Sequence, residues 1–507
     1  MKSIEKIEDE QIDLALIKEI PLSFAKGNML VPLRKEEGHL VAAFSDERGL
    51  LALAELSRRY GLKPLPLRAD SGAVLEALNR LYGQVGSAEE VMDNITGEDL
   101  SAVATEFEKP KDLLELTEEA PIIRLLNAIL QQAVKERASD IHIEPYEREM
   151  EVRLRVDGIL HRVLSPPKII QEALVSRVKI MANLDIAEKR LPQDGRIRLL
   201  LGGSDIDIRV SIVPTSFGER VVLRLLDRKQ GVIGLWEVGF NATDTKRVEE
   251  LLKRTSGILL VTGPTGSGKT TTLYAALNRI HTEEKNILTV EDPVEYQLKG
   301  IGQIQVNPKI GLTFASGLRS ILRQDPDVIM LGEIRDFETA EVAIQASLTG
   351  HLVLSTLHTN DAPSAVTRLI DMGVEPFLVA TSLTGVLAQR LVRAICPHCK
   401  ESYAPSEEER RYVSSPVLYR GAGCGKCGGK GYLGRTGIFE LLVVDHDIRQ
   451  LITGKTDAQS IKSCAVSKGM RMLRDDGFDK AARGITTIEE VLRVTQKDYA
   501  DISLQGI

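Results

Sequence analysis

The sequence predicts a multidomain α/β protein whose largest domain is a parallel β-sheet covered by helices. From about residue 231, short β-branched runs alternate with helical patterns, as they do in parallel sheets buried on both faces. These runs are residues 258–262, 287–290, 328–331 and 352–356. A glycine-rich loop, residues 263–270, follows the first run and precedes a helical pattern. The length of 507 residues is sufficient for three or four domains.

The first part of the chain divides into a small domain and a linker. Residues 1–85 alternate short apolar runs with turns and helical patterns, which predicts a small α/β or α+β domain. Residues 86–119 are acidic and contain few large apolar side chains, so we expect a linker there, with one short helix around residues 112–116.

A second, α+β domain is predicted over residues 120–230. It opens with apolar residues at helical spacing after Pro121, a residue suited to the first helical turn. Apolar and charged side chains then alternate in residues 150–156, and the Asp-Gly pair at 157–158 predicts a hairpin turn. The same alternation returns in residues 205–212 and 220–225. One face of the predicted sheet therefore carries the arginines Arg153, Arg155, Arg209, Arg220 and Arg224.

Residues 231–507 form the largest predicted domain. Within it, residues 394–435 are polar and contain two cysteine pairs, which indicates a small inserted subdomain. Residues 441–507 show the spacing of several amphipathic helices.

Composition excludes some classes of function. The net charge is −7 and aromatic residues are 4%, so no global field attracts polyanions and few side chains can stack on bases. Residues 1–11 are too charged for a secretory signal, and the apolar stretch at 376–387 is too short to cross a bilayer. We therefore expect a cytosolic protein, in which the five cysteines are metal ligands or free thiols.

The glycine-rich loop reads Gly-Pro-Thr-Gly-Ser-Gly-Lys-Thr, which is the phosphate-loop pattern. Its glycines let successive backbone N–H groups point at phosphate oxygens, and the positive end of the next helix points the same way. Lys269 is predicted to neutralise the β- and γ-phosphates, and the Thr270 hydroxyl to ligate Mg²⁺. The predicted nucleotide-binding residues are Gly263, Pro264, Thr265, Gly266, Ser267, Gly268, Lys269, Thr270 and Thr271.

Carboxylates follow two further predicted strands, at the edge where parallel sheets bind ligands. Glu291 could polarise the attacking water; the alternative is that it and Asp292 cap a following helix. Glu333 follows Gly332, which occupies the usual place of the aspartate that holds a magnesium-bound water, so Glu333 is the candidate for that role. Spacing leaves open which of Glu291 and Glu333 is the general base.

Two histidines flank the last predicted strand of the parallel sheet. His358, at the carboxyl end of that strand, is the candidate γ-phosphate sensor, and His351 is a second candidate. For both, the alternative is a purely structural role.

Arginines could supply positive charge in addition to Lys269. Arg319 and Arg323 are four residues apart and share a helix face, while Arg209 and Arg224 lie on the polar face of the second domain. A domain that swings could deliver the latter pair to the γ-phosphate. The alternative is that these arginines are solvated or paired with neighbouring carboxylates.

Two Cys-x-x-Cys pairs are separated by 24 residues. Four thiolates suit a closed tetrahedral Zn²⁺ site, which would stabilise an insertion that has few apolar residues. A redox function would need only one of the pairs and is the weaker interpretation. His398 lies inside the first pair and is not expected to be a metal ligand. Cys464 is expected to be a small buried side chain. The predicted ligands are Cys396, Cys399, Cys424 and Cys427.

From about residue 121 to the C-terminus, the chain resembles the type II/type IV secretion ATPase superfamily. The segments that carry this resemblance are residues 138–145 (Ala-Ser-Asp-Ile-His-Ile-Glu-Pro), 191–196 (Leu-Pro-Gln-Asp-Gly-Arg), 263–270, 290–295, 332–336 and 350–362. The four cysteines resemble the assembly ATPases and are absent from the pilus-retraction type. Residues 20–26 (Ile-Pro-Leu-Ser-Phe-Ala-Lys) resemble the opening domain of the type II secretion assembly ATPases, the E subunits, whose close sisters are the type IV pilus assembly ATPases.

The resemblance implies a RecA-like core preceded by a PAS-like α+β domain. It implies a hexameric ring on the cytoplasmic face of the bacterial inner membrane, where ATP turnover drives addition of pseudopilin subunits for protein export. The first domain would dock on the cytoplasmic part of an inner-membrane secretion protein, and an inner-membrane platform protein is a further implied partner. In the family, the residues that match Glu291 and Glu333 serve hydrolysis, and those that match Arg209, Arg224, Arg319 and Arg323 contact phosphate.

Two other functions are compatible with a phosphate loop. One is a nucleic-acid-dependent RecA-like motor, against which stand the net charge, the scarce aromatic residues and the lack of a basic tract. We accordingly expect no nucleic-acid partner. The other is a regulatory nucleotide sensor, which would bind ATP tightly and not turn it over.

Overall fold

The computed structural model describes residues 2–4, 7, 12–20, 22–36, 38–82, 121–201, 204–227 and 233–495. They divide into two compact units, Met1–Lys229 and Gln230–Ile507. The predicted linker at 86–119, with its helix at 112–116, lies outside the described residues. Within the described ranges, no helix has the length and apolar character needed to cross a membrane.

The chain begins with a four-stranded sheet flanked by helices. Its strands are β1 (Lys2–Ser3), β2 (Leu30–Glu36), β3 (His39–Phe44) and β4 (Lys63–Arg68), in the order β1-β4-β3-β2. Its helices are α1 (Leu14–Glu19), α2 (Leu22–Gly27), α3 (Glu47–Tyr60) and α4 (Ser71–Tyr82). Asp46 caps α3 by accepting the Gly49 N–H, and Gly61 ends that helix in a left-handed conformation.

A six-stranded antiparallel sheet follows, in the order β7-β6-β5-β10-β9-β8. Its strands are β5 (Asp140–Pro145), β6 (Met150–Val156), β7 (Ile159–Leu164), β8 (Gln193–Leu201), β9 (Ser204–Thr215) and β10 (Gly218–Asp227). Helices α5 (Pro121–Lys135) and α6 (Gln171–Met181) share one apolar core with this sheet. The predicted hairpin turn is present, because Asp157 and Gly158 both have positive φ, 49° and 87°.

The second unit contains a seven-stranded sheet in the order β13-β12-β14-β15-β11-β16-β19. All neighbouring pairs are parallel except β16 and β19. The strands are β11 (Gly257–Thr262), β12 (Ile287–Glu291), β13 (Gly302–Gln305), β14 (Val328–Leu331), β15 (Leu352–Leu357), β16 (Leu383–Ile395) and β19 (Tyr432–Val443). Each of the four runs predicted from sequence is a strand of this sheet.

Helices cover both faces of the seven-stranded sheet. Ile258 and Leu260 of β11 belong to one core, while Leu259 and Val261 belong to the other, so the strand is buried on both sides. The helices are α7 (Leu235–Val238), α8 (Ala242–Leu252), α9 (Lys269–Ile280), α10 (Phe314–Ile321), α11 (Phe337–Leu348), α12 (Ala362–Asp371), α13 (Pro376–Ser382), α14 (His446–Thr453), α15 (Ala458–Ser467), α16 (Leu473–Ala482) and α17 (Ile488–Val494).

A small insertion connects β16 to β19, and the last helices pack beside it. The insertion contains a two-stranded sheet, β17 (Lys400–Tyr403) and β18 (Leu418–Gly421). Its apolar core is small and includes Ile488 of α17. Glu490 of α17 is fully buried and accepts a hydrogen bond from Arg393 of β16 at 2.6 Å, which fastens the last described helix to the sheet.

Candidate nucleotide and metal sites

The phosphate loop connects β11 to α9, at the carboxyl edge of the parallel sheet. Gly263 has φ +148°, and a β-carbon there would lie 2.4 Å from the carbonyl oxygen of Gln389. Gly268 precedes the first residue of α9 with φ +85°, a conformation that favours glycine. The loop therefore turns tightly, and the N-terminus of α9 points to the place where its pattern predicts phosphates.

Lys269 is buried and folds back on the loop. Its Nζ donates hydrogen bonds to the carbonyl oxygens of Gly263 at 2.8 Å and Pro264 at 3.1 Å. Burial lowers the pKa of Lys269 to about 8, although Glu333 acts in the opposite direction by favouring the charged form. The Lys269 ammonium group is thus close enough to interact electrostatically with Glu333, the carboxylate predicted to hold a magnesium-bound water.

Glu333 and His358 follow neighbouring strands, β14 and β15, and meet beside the loop. His358 Nε2 lies 3.3 Å from Glu333 Oε2, and Arg335 forms an ion pair with the other carboxylate oxygen. The hydrogen bond that Arg335 donates to Glu333 raises the pKa of Arg335. The next residue after His358 is Thr359, whose hydroxyl lies 2.8 Å from that of Thr262 at the end of β11. These contacts bring the predicted sensor and the predicted carboxylate to the same sheet edge.

Glu291 ends β12, the strand next to β14, and is 2% exposed. It accepts hydrogen bonds from the hydroxyls of Tyr274 and Thr289 and from the amide of Gln303. Glu291 is therefore enclosed by donors, whereas Glu333 lies beside Lys269 and His358. The alternative that Glu291 and Asp292 cap a following helix is wrong, because the chain after Asp292 continues through bends and turns to β13 and forms no helix.

Of two neighbouring residues of β16, Gln389 contacts the loop and Arg390 acts electrostatically on Lys269. Gln389 is buried, accepts a hydrogen bond from the Thr272 hydroxyl at 2.7 Å and donates one to the Ser267 carbonyl at 2.8 Å. Arg390 donates to Asn360 Oδ1 at 3.0 Å, and its Nε has no hydrogen-bond partner in the described part of the chain. Burial lowers the pKa of Arg390, and its charge in turn helps to lower that of Lys269.

The other predicted cations of this unit lie elsewhere. Arg319 is exposed on α10 and bonds to Glu338 at 2.8 Å, while Arg323 bonds to the Arg319 carbonyl at 2.9 Å. Neither contacts the loop among the contacts of the described residues. His351 precedes β15, at the amino end, where its Nδ1 lies 2.8 Å from the Ala346 carbonyl oxygen at the end of α11. The prediction of His351 as a sensor is wrong, because the strand carries it to the edge opposite the loop.

Arg209 and Arg224 belong to the first unit, where they form part of a row across the six-stranded sheet. Register pairs Arg155 with Asp140, Asp140 with Arg224, Arg224 with Arg209 and Arg209 with Arg196. Residues paired in this way share a face, so the row holds four arginines and one aspartate. Arg224 Nε donates to Asp140 Oδ1 at 2.9 Å and its side chain is 53% exposed. The row is a concentrated positive surface on the predicted polar face.

The four cysteines of the insertion come together. One sulfur atom from each of Cys396, Cys399, Cys424 and Cys427 lies within 4.8 Å of the others. The Sγ–Sγ distances are 3.9 Å for Cys396–Cys424, 3.8 Å for Cys399–Cys427 and 3.7 Å for Cys424–Cys427. A tetrahedron with Zn–S bonds of about 2.3 Å has edges of about 3.8 Å, so this arrangement fits zinc.

The rest of the insertion supports that arrangement. The Cys427 Sγ accepts backbone N–H groups of Cys424 at 3.2 Å and Gly431 at 3.3 Å, which is the support a metal-bound thiolate receives in closed sites. His398 is exposed and is not part of the cluster. The cluster could hold one zinc ion, with no open position for catalysis.

A family model described as type II/IV secretion system protein matches residues 115–493. The chain belongs to this family. A second model, described as the MshEN domain, matches residues 3–88.

Named relatives are similar to this chain over nearly its whole length. It is 52% identical over 489 residues to the type II secretion system protein E of Pseudomonas aeruginosa, covering 95% of this chain and 97% of that protein. It is 50% identical over 493 residues to the type II secretion system ATPase E of Vibrio cholerae, with the same coverage. It is 43% identical over 502 residues to the type IV pilus assembly ATPase PilB of Myxococcus xanthus, covering 97% and 88%.

Solved structures support the same assignment. The pilus retraction motor PilT, determined with bound ADP, is 25% identical with a TM-score of 0.51, covering 75% of this chain and 99% of that one. The ATPase DotB of Legionella pneumophila, at 21% identity and a TM-score of 0.55, shares the fold over 78% of this chain and 98% of its own. The comparisons confirm the predicted fold class and the predicted family, which is a family of secretion ATPases.

Gln389 and Arg390 were not among the site residues predicted from the sequence of this family member. Both lie more than a hundred residues from the loop in the sequence, within a strand whose other residues are mostly apolar. The available signal was a Gln-Arg pair inside that apolar run, at the carboxyl edge of the predicted sheet.

Proposed function

We propose that this chain is the ATPase motor of a type II secretion system, in which ATP hydrolysis drives pseudopilus assembly and protein export. The observation that carries the proposal is the convergence of Lys269, Glu333 and His358 beside the phosphate loop. It is supported by identities of 50% and 52% to type II secretion proteins along nearly the whole chain. A sensor that only binds nucleotide would not need a carboxylate and a histidine next to the loop lysine.

In this proposal, residues 263–271 bind the ATP phosphates. The loop N–H groups and the N-terminus of α9 contact phosphate oxygens, and Lys269 exchanges its bonds to Gly263 and Pro264 for the β- and γ-phosphates. Thr270, in the first turn of α9, would ligate Mg²⁺, which when bound neutralises charge on the phosphates. Arg390 lies close enough to Lys269 to add positive charge at the same site.

Hydrolysis needs a carboxylate that orients or deprotonates water. Glu333 lies beside His358 and Arg335 with its side chain 15% exposed, which suits a carboxylate that would hold a magnesium-bound water. Glu291 lies at the adjacent strand end and is held by three donors, which suits a residue that fixes the direction of the attacking water. His358 would contact the γ-phosphate and lose that contact after hydrolysis.

We propose that movement of the domain that carries Arg209 and Arg224 couples ATP hydrolysis to mechanical work. In an assembled homohexamer, Arg209 and Arg224 would supply positive charge to the nucleotide phosphates, as would Arg319 and Arg323. Loss of the γ-phosphate would weaken that attraction, and the resulting displacement of the domain would move the attached secretion machinery. Asp140 keeps Arg224 in place through the 2.9 Å hydrogen bond.

The remaining components have supporting roles. Zinc at the four cysteines would fasten the insertion between β16 and β19 without taking part in hydrolysis. Residues 1–85 would dock on the cytoplasmic domain of an inner-membrane secretion protein, and the ring would contact an inner-membrane platform protein. The chain would then be cytoplasmic and peripheral to the inner membrane, with no nucleic-acid partner.

A type IV pilus assembly ATPase is the second candidate. The observation that favours it is the 43% identity to PilB of Myxococcus xanthus over 97% of this chain. Both candidates use the same chemistry and differ in the filament that is built.

Restoration of function in the native host separates these candidates. In a strain that lacks this gene, the intact gene is expected to restore export of proteins to the medium, and Lys269→Ala is expected to restore none. Surface pili, counted in the same cells, should not depend on the gene. Pili that return with the gene while export does not would favour the pilus candidate, and export without a functional Lys269 would contradict both.

A further inference from the structure

The hydroxyl of Tyr274 connects the phosphate-loop helix to Glu291. Tyr274 lies on α9, the helix that begins at Lys269, and its side chain is completely buried. It donates a hydrogen bond to Glu291 Oε2, and its oxygen accepts the Glu295 N–H at 3.3 Å. One hydroxyl therefore joins α9, the end of β12 and the segment that follows β12.

The second oxygen of Glu291 is held as firmly. Glu291 Oε1 accepts the Thr289 hydroxyl at 2.6 Å and the Gln303 amide at 3.0 Å. Because both oxygens are bonded and the residue is 2% exposed, the carboxylate cannot rotate without breaking a buried hydrogen bond.

The Tyr274 hydroxyl is protonated at neutral pH and can act only as a donor to Glu291. Burial, followed by the charge and the hydrogen bond of Glu291, raises the pKa of Tyr274 well above its ordinary value. The phenol therefore keeps its proton at neutral pH.

We infer that Tyr274 is a positioning residue for ATP hydrolysis, which holds the Glu291 carboxylate at a fixed place relative to the bound phosphates. The inference rests on the proposed role of Glu291 in hydrolysis. Lys269 and Thr270 occupy the first turn of α9, and Tyr274 follows about one turn later on the same rigid helix. A phosphate bound at the start of α9 and the Glu291 carboxylate bound by Tyr274 in the second turn of α9 therefore stay at a fixed distance from each other. Misplacement of a catalytic group by about 1 Å can slow a reaction about a hundredfold.

A merely structural role for Tyr274 makes a different prediction. If the hydroxyl only satisfied a buried carboxylate, its loss would lower stability and would have the same effect whether or not Glu291 is functional. If it positions Glu291, its loss should lower kcat, and that effect should disappear once Glu291 itself is disabled.

The test is a double-mutant cycle on the full chain with Tyr274→Phe and Glu291→Gln, in which kcat and KM for Mg-ATP are measured. Tyr274→Phe is expected to lower kcat about tenfold or more with KM within about twofold, and to leave the rate of Glu291→Gln unchanged. The matched control is Tyr296→Phe, since the Tyr296 ring stacks edge-on against Tyr274 at 4.6 Å. That control should keep the wild-type kcat.

Several results would overturn the inference. An unchanged kcat in Tyr274→Phe would do so, as would an equal slowing in the Glu291→Gln background. Wild-type turnover by Glu291→Gln alone would instead remove the proposed role of Glu291, so the two failures are distinguishable. ADP binding and thermal melting establish whether each variant is folded. If Tyr274→Phe does not fold, Thr289→Val removes a donor from the same carboxylate with little change of shape and takes its place in the cycle.

Discussion

The ammonium group of Lys269 donates a hydrogen bond to the carbonyl oxygen of Gly263, 2.8 Å away, so the cation of the loop is bound to the backbone that surrounds it. A phosphate must replace this carbonyl as the partner of the lysine. The exchange replaces a neutral acceptor by a charged one, which strengthens the hydrogen bond. The lysine is thus held where the phosphate will arrive.

Nucleotide binding should take up protons near pH 8. Burial lowers the pKa of Lys269 to about 8, so part of the free protein carries a neutral lysine at that pH. A bound phosphate favours the ammonium and raises this pKa, and affinity for ATP is therefore expected to fall as the pH rises above 8. Calorimetric titrations in buffers of different ionisation enthalpy measure the uptake. In Lys269→Arg the side chain is always charged, and an uptake that persisted there would refute the assignment.

Removal of a row arginine should stop turnover without preventing binding. Arg209→Ala is expected to lower kcat of the assembled hexamer by about 10³, the effect of losing an arginine that contacts the transferring phosphate. Arg148→Ala, in the exposed turn before β6, is the matched control and should keep the wild-type rate. Phosphate release and ADP binding are measured on the same preparations. Normal hydrolysis by Arg209→Ala in the proposed hexamer would show that Arg209 does not supply charge to the site.

Zinc should be bound at one ion per chain. Metal analysis by mass spectrometry is expected to find this ratio in the purified protein, since the four sulfur atoms already have the spacing of a tetrahedral site. Cys396→Ser should lose the metal and lower the melting temperature, whereas Cys464→Ser should keep it. Zinc retained by Cys396→Ser would mean that the ion is bound elsewhere.

Glu490 should stabilise the second unit in a pH-dependent way. Burial opposes its ionisation, but hydrogen bonds from Arg493 and Arg393 outweigh burial and lower its pKa to about 2. Replacing it with glutamine leaves Arg393 without its charged partner, at a cost of about 3 kcal/mol. Glu489→Gln, on the exposed side of α17, should cost nothing measurable.

The sign of the pH dependence follows from the lowered pKa. A carboxyl with a depressed folded-state pKa contributes its full stability above the unfolded value, 4.5, and loses it as the pH falls toward 2. The difference in unfolding free energy between wild type and Glu490→Gln should therefore be constant above pH 4.5 and shrink below it. A difference that stayed constant down to pH 2 would contradict the ion-pair explanation.

Much of this architecture could be predicted because burial requires apolar residues at regular spacing along each strand and helix. The four strands β11, β12, β14 and β15 are mostly apolar runs, since both of their faces are covered. The polar row of the first unit could be predicted because alternation with period two places Arg209 and Arg224 on one face. The loop could be predicted because its chemistry requires particular residues at fixed spacing.

What could not be predicted depends on contacts between distant segments. The register of β16 beside β11 brings Gln389 to the loop, and nothing local to either strand specifies that register. Strand β13 is short and polar, and it pairs with β12 after a connection without a helix, so the capping role expected of Asp292 has no helix to serve. His351 differs from His358 only by lying at the other end of one strand.

The steady-state rate of phosphate release by the full chain, compared with that of Lys269→Ala, tests the central claim most directly. Wild type is expected to hydrolyse Mg-ATP, and Lys269→Ala to be slower by at least about a hundredfold, because one preorganised charge on a transferring phosphoryl group contributes about that much to the rate. The variant should remain folded, since Lys269 contacts only backbone carbonyls among its hydrogen-bond partners in the described chain. Unimpaired hydrolysis by folded Lys269→Ala would contradict the assignment of this loop as the site of ATP turnover.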